Sequence, residues 1–270
     1  MKKTSLGKWI GALLMACVLA AGVPALVPAL QMQAQAAQNG LVKKGGKLYL
    51  YKDGKAITNK WKSVKGKTYY FGENGAAVKK WQVLKKGSKY QLFWFSSKCV
   101  LDKSKTKGVP QSCVNAIAKK SDKLLKKWGI TDETAKQDAI DKIFSHVSDP
   151  SQFAYARDTG SKGKYWSYRY GKQMLSKKMG SCYHYASAFG FLVKRATGIP
   201  VRICMGKAQT FTKGTWQPHA WAEIKLGGKW YVYDPNAKAY SKLTNIQFAG
   251  LKVSAAGKWY KAQNKETIYM

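Results

Sequence analysis

Between Gly180 and Asp234 the chain changes its hydrophobic period once, and that change constrains the fold more than any other feature. From Tyr183 to Ala196 the apolar residues Tyr185, Ala186, Phe189, Leu192 and Val193 recur at intervals of three and four, which marks one face of a helix. Gly198-Ile199-Pro200 ends it. Val201 to Met205 is strand-like, and Ala220 to Leu226 and Lys229 to Tyr233 read as two more strands around Gly227-Gly228. A two-glycine connection is a tight hairpin turn. The pattern predicts a helix followed by strands, two of them a hairpin.

Three side chains in this stretch suit nucleophilic chemistry. Cys182 falls at the start of the helix, where unpaired backbone N–H groups and the positive end of the helix dipole favour a thiolate. Those N–H groups also suit an oxyanion. The hairpin register sets Leu226 opposite Lys229, hence Trp221 opposite Asp234 and His219 opposite Asn236. His219 and Asp234 then share a face as diagonal neighbours, with backbones roughly 7–8 Å apart. A thiol, a base and a group that orients the base form a nucleophilic triad. Glu223 shares the face two places further along and is a weaker orienter. His184, two residues beyond Cys182 on a helix, points to nearly the opposite side. His146, on a helix ending near Val147, reads as a partly exposed structural residue.

Cysteine usage points away from metal chemistry. No two cysteines have zinc-ligand spacing and the three histidines are scattered, so neither metal nor cofactor is expected. Cys204, in Val201-Arg202-Ile203-Cys204-Met205, reads as a small core residue. Cys99 and Cys113 suit a disulfide if the chain is exported.

Export is the expectation for residues 1–36. Lys2, Lys3 and Lys8 make a basic start, an apolar run follows from Trp9, and Ala34-Gln35-Ala36 suits signal cleavage. Pro24, Pro28 and three glutamines interrupt the run of about 20 apolar residues a membrane anchor needs, so no stable membrane insertion is expected after signal removal. The chain carries 48 basic and 13 acidic residues, a net charge of +35. Only Arg157, Arg169, Arg195 and Arg202 are arginine, whereas nucleic-acid readers favour arginine's bidentate fork. A lysine-dominated surface fits an anionic cell-wall polymer of the Gram-positive type rather than nucleic acid.

Residues 38–97 contain a short repeat. Gly46-Lys47-Leu48-Tyr49 recurs as Gly66-Lys67-Thr68-Tyr69 and as Gly87-Ser88-Lys89-Tyr90, and Asp53-Gly54 is matched by Asn74-Gly75. Each unit reads as two strands around a tight Asp-Gly or Asn-Gly turn. Hairpins this short bury a face only by sharing aromatics with their neighbours. A Lys/Ser/Gly-rich linker is expected over 98–111, with a globular domain over 112–270. That domain opens with a lysine-rich helix from Val114 to Trp128, followed by a helix from Asp132 to Val147 with Thr131 as N-cap.

The repeats resemble the choline- or glucan-binding type of cell-wall-binding repeat, although Lys60 and Lys80 stand where glycine usually precedes the tryptophans. The resemblance implies wall-glycan or choline-type contacts through Tyr49, Trp61, Tyr69, Tyr70, Trp81 and Tyr90. In the larger domain, Gly180-Ser181-Cys182, Gly198-Ile199-Pro200-Val201-Arg202, His219-Ala220-Trp221-Ala222-Glu223 and Trp230-Tyr231-Val232-Tyr233-Asp234-Pro235 resemble the transglutaminase-like superfamily. This implies a papain-like α+β core, the helix carrying the cysteine packed on an antiparallel sheet, with Cys182 as nucleophile, His219 as general base and acid, and Asp234 as orienter. It also implies an upstream aromatic assisting the oxyanion, for which Trp166 and Tyr168 are the candidates. The expected function is a secreted, wall-associated cysteine peptidase or amidase acting on a protein or peptide. The alternatives are a cross-linking transglutaminase and a non-catalytic wall-binding protein.

Overall fold

The computed structural model describes residues 38–158 and 163–270. The segment read as an export signal, with Cys17, lies outside the described residues. The first strands are β1 (Gly40–Lys44), β2 (Lys47–Lys52), β3 (Lys55–Ala56), β4 (Lys60–Val64), β5 (Lys67–Phe71), β6 (Lys80–Lys86) and β7 (Lys89–Phe95). They pair antiparallel as β1-β2-β3, β4-β5 and β6-β7.

The three main hairpins turn at Gly45-Gly46, Lys65-Gly66 and Gly87-Ser88, inside the Gly-Lys repeat itself. Asp53-Gly54 turns only into the two-residue β3. Asn74-Gly75 joins no two strands and is followed by the isolated bridges Tyr49↔Ala76 and Phe71↔Ala77. The turn expected at Asn74-Gly75 does fold the chain back on its own unit, since Phe71 bridges Ala77 and the Gly72 N–H donates to the Ala76 carbonyl, but the returning residues make isolated bridges, one of them to Tyr49 of the first hairpin, in place of a full strand.

Neighbouring hairpins do share aromatics. Trp61 of the second hairpin packs on Tyr70 of its own and on Phe93 and Phe95 of the third, with ring centroids 5.2, 4.8 and 5.8 Å away. Residues 38–270 make up one compact unit, and the hairpins lie directly against its helical part. Trp81 stacks near Tyr269 at 5.4 Å, and the Arg195 guanidinium sits 4.7 Å from the Tyr90 ring. The stretch expected as a linker holds a 3-10 turn at Ser104–Thr106, and Cys99 is buried beside Tyr69 and Phe71. Cys113 lies in the main core instead, and both thiols are free. The anticipated disulfide does not form because the two cysteines belong to different clusters.

Helices α1 (Gln111–Lys127), α2 (Lys136–Val147), α3 (Trp166–Lys177), α4 (Cys182–Thr197) and α5 (Pro235–Tyr240) follow, with short strands β8 (Ala154–Tyr155) and β9 (Met179–Gly180) paired in parallel. Helix α2 begins four residues later than the sequence suggests, and Thr131 does not cap it. The Thr134 hydroxyl accepts the Thr131 N–H, closing a local turn that competes with helix. His146 is half-buried, stacked on Trp128 at 4.4 Å and bonded to Gln152.

Helix α4 is the hub. Its residues Tyr185, Ala186, Phe189 and Leu192 are fully buried, and α1, α2 and α3 all pack against it. The remaining strands are β10 (Val201–Ala208), β11 (Gln217–Leu226), β12 (Lys229–Tyr233), β13 (Ala249–Lys252) and β14 (Tyr260–Ile268). They form one antiparallel sheet in the order β13-β12-β11-β10-β14. This is the expected helix-on-sheet α+β arrangement. Leu226 faces Lys229 as the turn demands, and Gly227 and Gly228 both take positive φ there. Among the described residues no helix is long and apolar enough to cross a membrane.

Gly206 lies opposite His219 on β10, at a register shift against β14. A Cβ there would lie 2.0 Å from the Lys261 carbonyl oxygen and 3.0 Å from Ala262 Cα. Both obstacles are backbone, so the bulge must open to admit a methyl group. Gly206→Ala is expected to cost about 1–3 kcal/mol in urea titrations; an unchanged midpoint would show that β14 does not press on this position.

Candidate active site

Cys182 is the first residue of α4, and Ser181 is its N-cap with extended backbone. The Ser181 N–H donates to His184 Nδ1 at 3.2 Å. With Nδ1 accepting, the proton sits on Nε2, which faces Gln173 Oε1 at 2.9 Å. Burial pushes the His184 pKa down, against the pull of Asp158. His184 therefore braces the helix start and is turned away from the reacting atoms. Gly180 makes room for it: a Cβ there would lie 2.3 Å from the His184 ring.

His219 and Asp234 meet as the register requires. His219 Nε2 lies 2.8 Å from Asp234 Oδ2, with His219 2% exposed and Asp234 fully buried. That leaves Nδ1 for the thiol, and Cys182 hydrogen-bonds the imidazole as well. Burial alone would lower the His219 pKa. The Asp234 carboxylate, the Cys182 charge and the hydrogen bonds to both outweigh it and raise the imidazole to about 10. At neutral pH the ring is held as imidazolium.

Asp234 has two further donors. Its Oδ1 caps α5 by accepting the Ala237 N–H at 3.0 Å, and its Oδ2 accepts the Tyr260 hydroxyl at 3.1 Å. Burial first, then Asp234, pushes the Tyr260 pKa well up, so the phenol stays a donor. Tyr260 comes from β14, beyond the family-like blocks, and the sequence reading missed it. Glu223, weighed as a second orienter, is taken by Arg202, Lys265 and the Trp221 indole. Cys204 is buried among Trp221, Val232 and Tyr260, and burial raises its thiol.

Cys182 and His219 open into a cavity of about 340 Å³ lined also by Tyr155, Phe211, Gln217, Pro218, Asn236 and Tyr240. The β8–β9 pairing sets Tyr155 beside Gly180, and the Tyr155 N–H donates to the Tyr240 hydroxyl at 3.0 Å. Neither oxyanion candidate lines this cavity. Tyr168 spends its hydroxyl on the Tyr269 backbone, donating to the carbonyl and accepting the N–H, both at 3.1 Å. Trp166 packs on Tyr170 and Tyr183 and lines a separate cavity with Met205 and Glu266. Two other upstream aromatics interact with Cys182: Tyr155 at the cavity wall, and Tyr170, whose buried hydroxyl has no partner among the described residues.

The six repeat aromatics divide. Tyr69 is buried and stacks on Phe71, Trp81 packs on Trp94 and Tyr269, Tyr90 lies under Arg195, and Trp61 and Tyr70 meet edge to face. Tyr49 is half-buried beside Tyr51. Most of this aromatic surface is spent within the module or against the helical part. Among the described residues no group of three or more His, Cys, Asp or Glu is placed to hold a metal ion.

Residues 125–235 match the family model described as the transglutaminase-like superfamily. Among solved structures, the pneumococcal cell wall endolysin from phage Cp-1, complexed with choline, is 26% identical over 24% of this chain, with a TM-score of 0.21. The chain spans only 18% of that endolysin's length. Legionella pneumophila LapG is 19% identical, with 60% of this chain and 78% of LapG covered and a TM-score of 0.35. A TGase crystal structure is 15% identical, with 54% and 37% covered and a TM-score of 0.35. Comparison with curated proteins returns no match.

The stability that His219 draws from its partners follows its titration. The folded pKa is raised from 6.5 to about 10, so the contribution is full below pH 6.5 and is lost as pH rises through 10. In urea titrations the gap between wild type and Asp234→Asn should shrink steadily from pH 7 to pH 10. A gap independent of pH would remove the charged pair from the site.

Proposed function

We propose that the transglutaminase-like domain in this chain is a cysteine-dependent acyl-transfer enzyme that hydrolyses amide bonds in the cell envelope. The observation that carries the reading is the shared cavity: Cys182 at a helix start, bonded to an imidazole that a fully buried carboxylate holds. Cys182 is assigned as nucleophile, His219 as acid and base, and Asp234 as orienter.

The chemistry follows from those positions. The Cys182 thiolate adds to the amide carbonyl, and the oxyanion faces the backbone N–H at the start of α4. As the C–N bond breaks, His219 gives its proton to the leaving amine, leaving a thioester on Cys182. A water then loses a proton to His219 and its oxygen adds to the thioester. The C–S bond breaks, releasing a carboxylic acid and restoring the thiolate–imidazolium pair. Tyr155 and Tyr240 at the cavity wall are 48% and 39% exposed, which leaves water a direct path to the thioester.

Export and wall attachment belong to the same proposal. They are supported by the basic-then-apolar start of the sequence, the hairpin repeats and the charge of +35. The substrate is accordingly a protein or peptide of the envelope.

Incubation with cell-wall extract and a fluorescent primary amine tests the acceptor. The wild type should generate new amino termini without amine uptake, and Cys182→Ala should lower that rate about 10⁴-fold or more. Amine uptake by wall proteins would replace hydrolysis with cross-linking. Neither product from a folded protein would leave a wall-binding module without catalysis.

A further inference from the structure

Asn236 is the buried polar residue of the cavity lining that the chemistry above does not use. It is the second residue of α5, the helix capped by Asp234. It is 2% exposed, it lines the cavity with Cys182 and His219, and its Nδ2 has no hydrogen-bond partner among the described residues. An unpaired buried amide donor costs stability and is seldom left so. A ligand that brings an acceptor oxygen removes that cost.

The rest of the lining narrows the ligand. Tyr155, Phe211, Gln217, Pro218 and Tyr240 carry no charge, in a chain with 48 basic residues. A charged group entering this cavity would lose water without meeting an ion partner among the described lining residues other than the His219–Cys182 pair. The exposed Arg157 is felt only at Tyr155.

We infer that Asn236 is a specificity-determining residue, donating from Nδ2 to an amide oxygen next to the reacting carbonyl of an uncharged acyl donor. This rests on the acyl-enzyme reading and adds the class of substrate: a peptide segment whose reacting residue is neutral. The reacting carbonyl itself belongs to α4, and Asn236 holds the amide beside it.

p-Nitrophenyl esters separate these roles, since attack by Cys182 forms the S–C bond, breaks the ester C–O bond and releases coloured p-nitrophenolate. The N-acetylalanine ester carries the neighbouring amide; the propionate ester is the same acyl group without it. In Asn236→Ala the ratio of kcat/KM for the first over the second should fall about tenfold, the worth of one hydrogen bond that leaves no partner behind. Asn236→Asp, which keeps the shape and removes the donor, should lose the ratio as well. A packing defect lowers both esters together and leaves the ratio intact, and that result overturns the inference. The wild type should also prefer the alanine ester about tenfold over its N-acetyllysine and N-acetylaspartate counterparts; equal rates would overturn the neutral class. No Cys182-dependent release from any ester would remove the acyl-enzyme reading itself, and this inference with it.

Discussion

A carboxylate taken wholly out of water dictates how the rest of this structure is arranged. Asp234 is fully buried, and an unpaired charge in that position would cost several kcal/mol or drive the group neutral. Its oxygens are satisfied by an imidazole from β11, a phenol from β14 and a backbone N–H of α5. Those three elements approach one another only in the assembled sheet. The site is thus a folding constraint as well as a chemical one, because any arrangement that separates β14 from β10 leaves the carboxylate short of a donor.

The sequence made half of this legible. The Gly227-Gly228 turn sets a register, the register puts His219 and Asp234 on one face, and the Ser181-Cys182 junction starts a helix. These are consequences of local periodicity and turn chemistry. Tyr260 follows from neither. It reaches Asp234 because the last strand crosses back to pair with β10 on the far side from the hairpin. A pairing between strands some fifty residues apart leaves no trace in the spacing of either one. The same limit explains the oxyanion candidates: on one helix Trp166, Tyr168 and Tyr170 differ only in which way they face, and packing against α4 decides it.

The local misreadings have local causes. Thr131 has the chemistry of an N-cap, yet Thr134 accepts its N–H and the turn between them delays α2. Asn74-Gly75 does turn the chain, but the residues after it make only isolated bridges, to Phe71 before the turn and to Tyr49 of the first hairpin. At Thr131 the residue type allowed two outcomes, and a hydrogen bond three residues away chose. The hairpins illustrate the same point at larger scale. Aromatics that suggest ligand contact in the sequence are largely consumed in joining one hairpin to the next and the third to the helical part.

Charge and chemistry occupy different places in this molecule, and their ranges differ accordingly. Lysines spread over a surface attract a polyanion across about 8–10 Å of physiological salt, without regard to its detailed structure. The cavity around Cys182 is lined by neutral aromatics and amides, whose contacts act only within hydrogen-bond or van der Waals distance. A lysine within it would compete with His219 for the Asp234 carboxylate and lower the imidazolium's pKa. An added carboxylate would stabilise the imidazolium and, in the proposed reaction, weaken it as a proton donor. Keeping the basic residues out of the cavity lets strong surface charge coexist with a buried pair of one imidazole and one carboxylate.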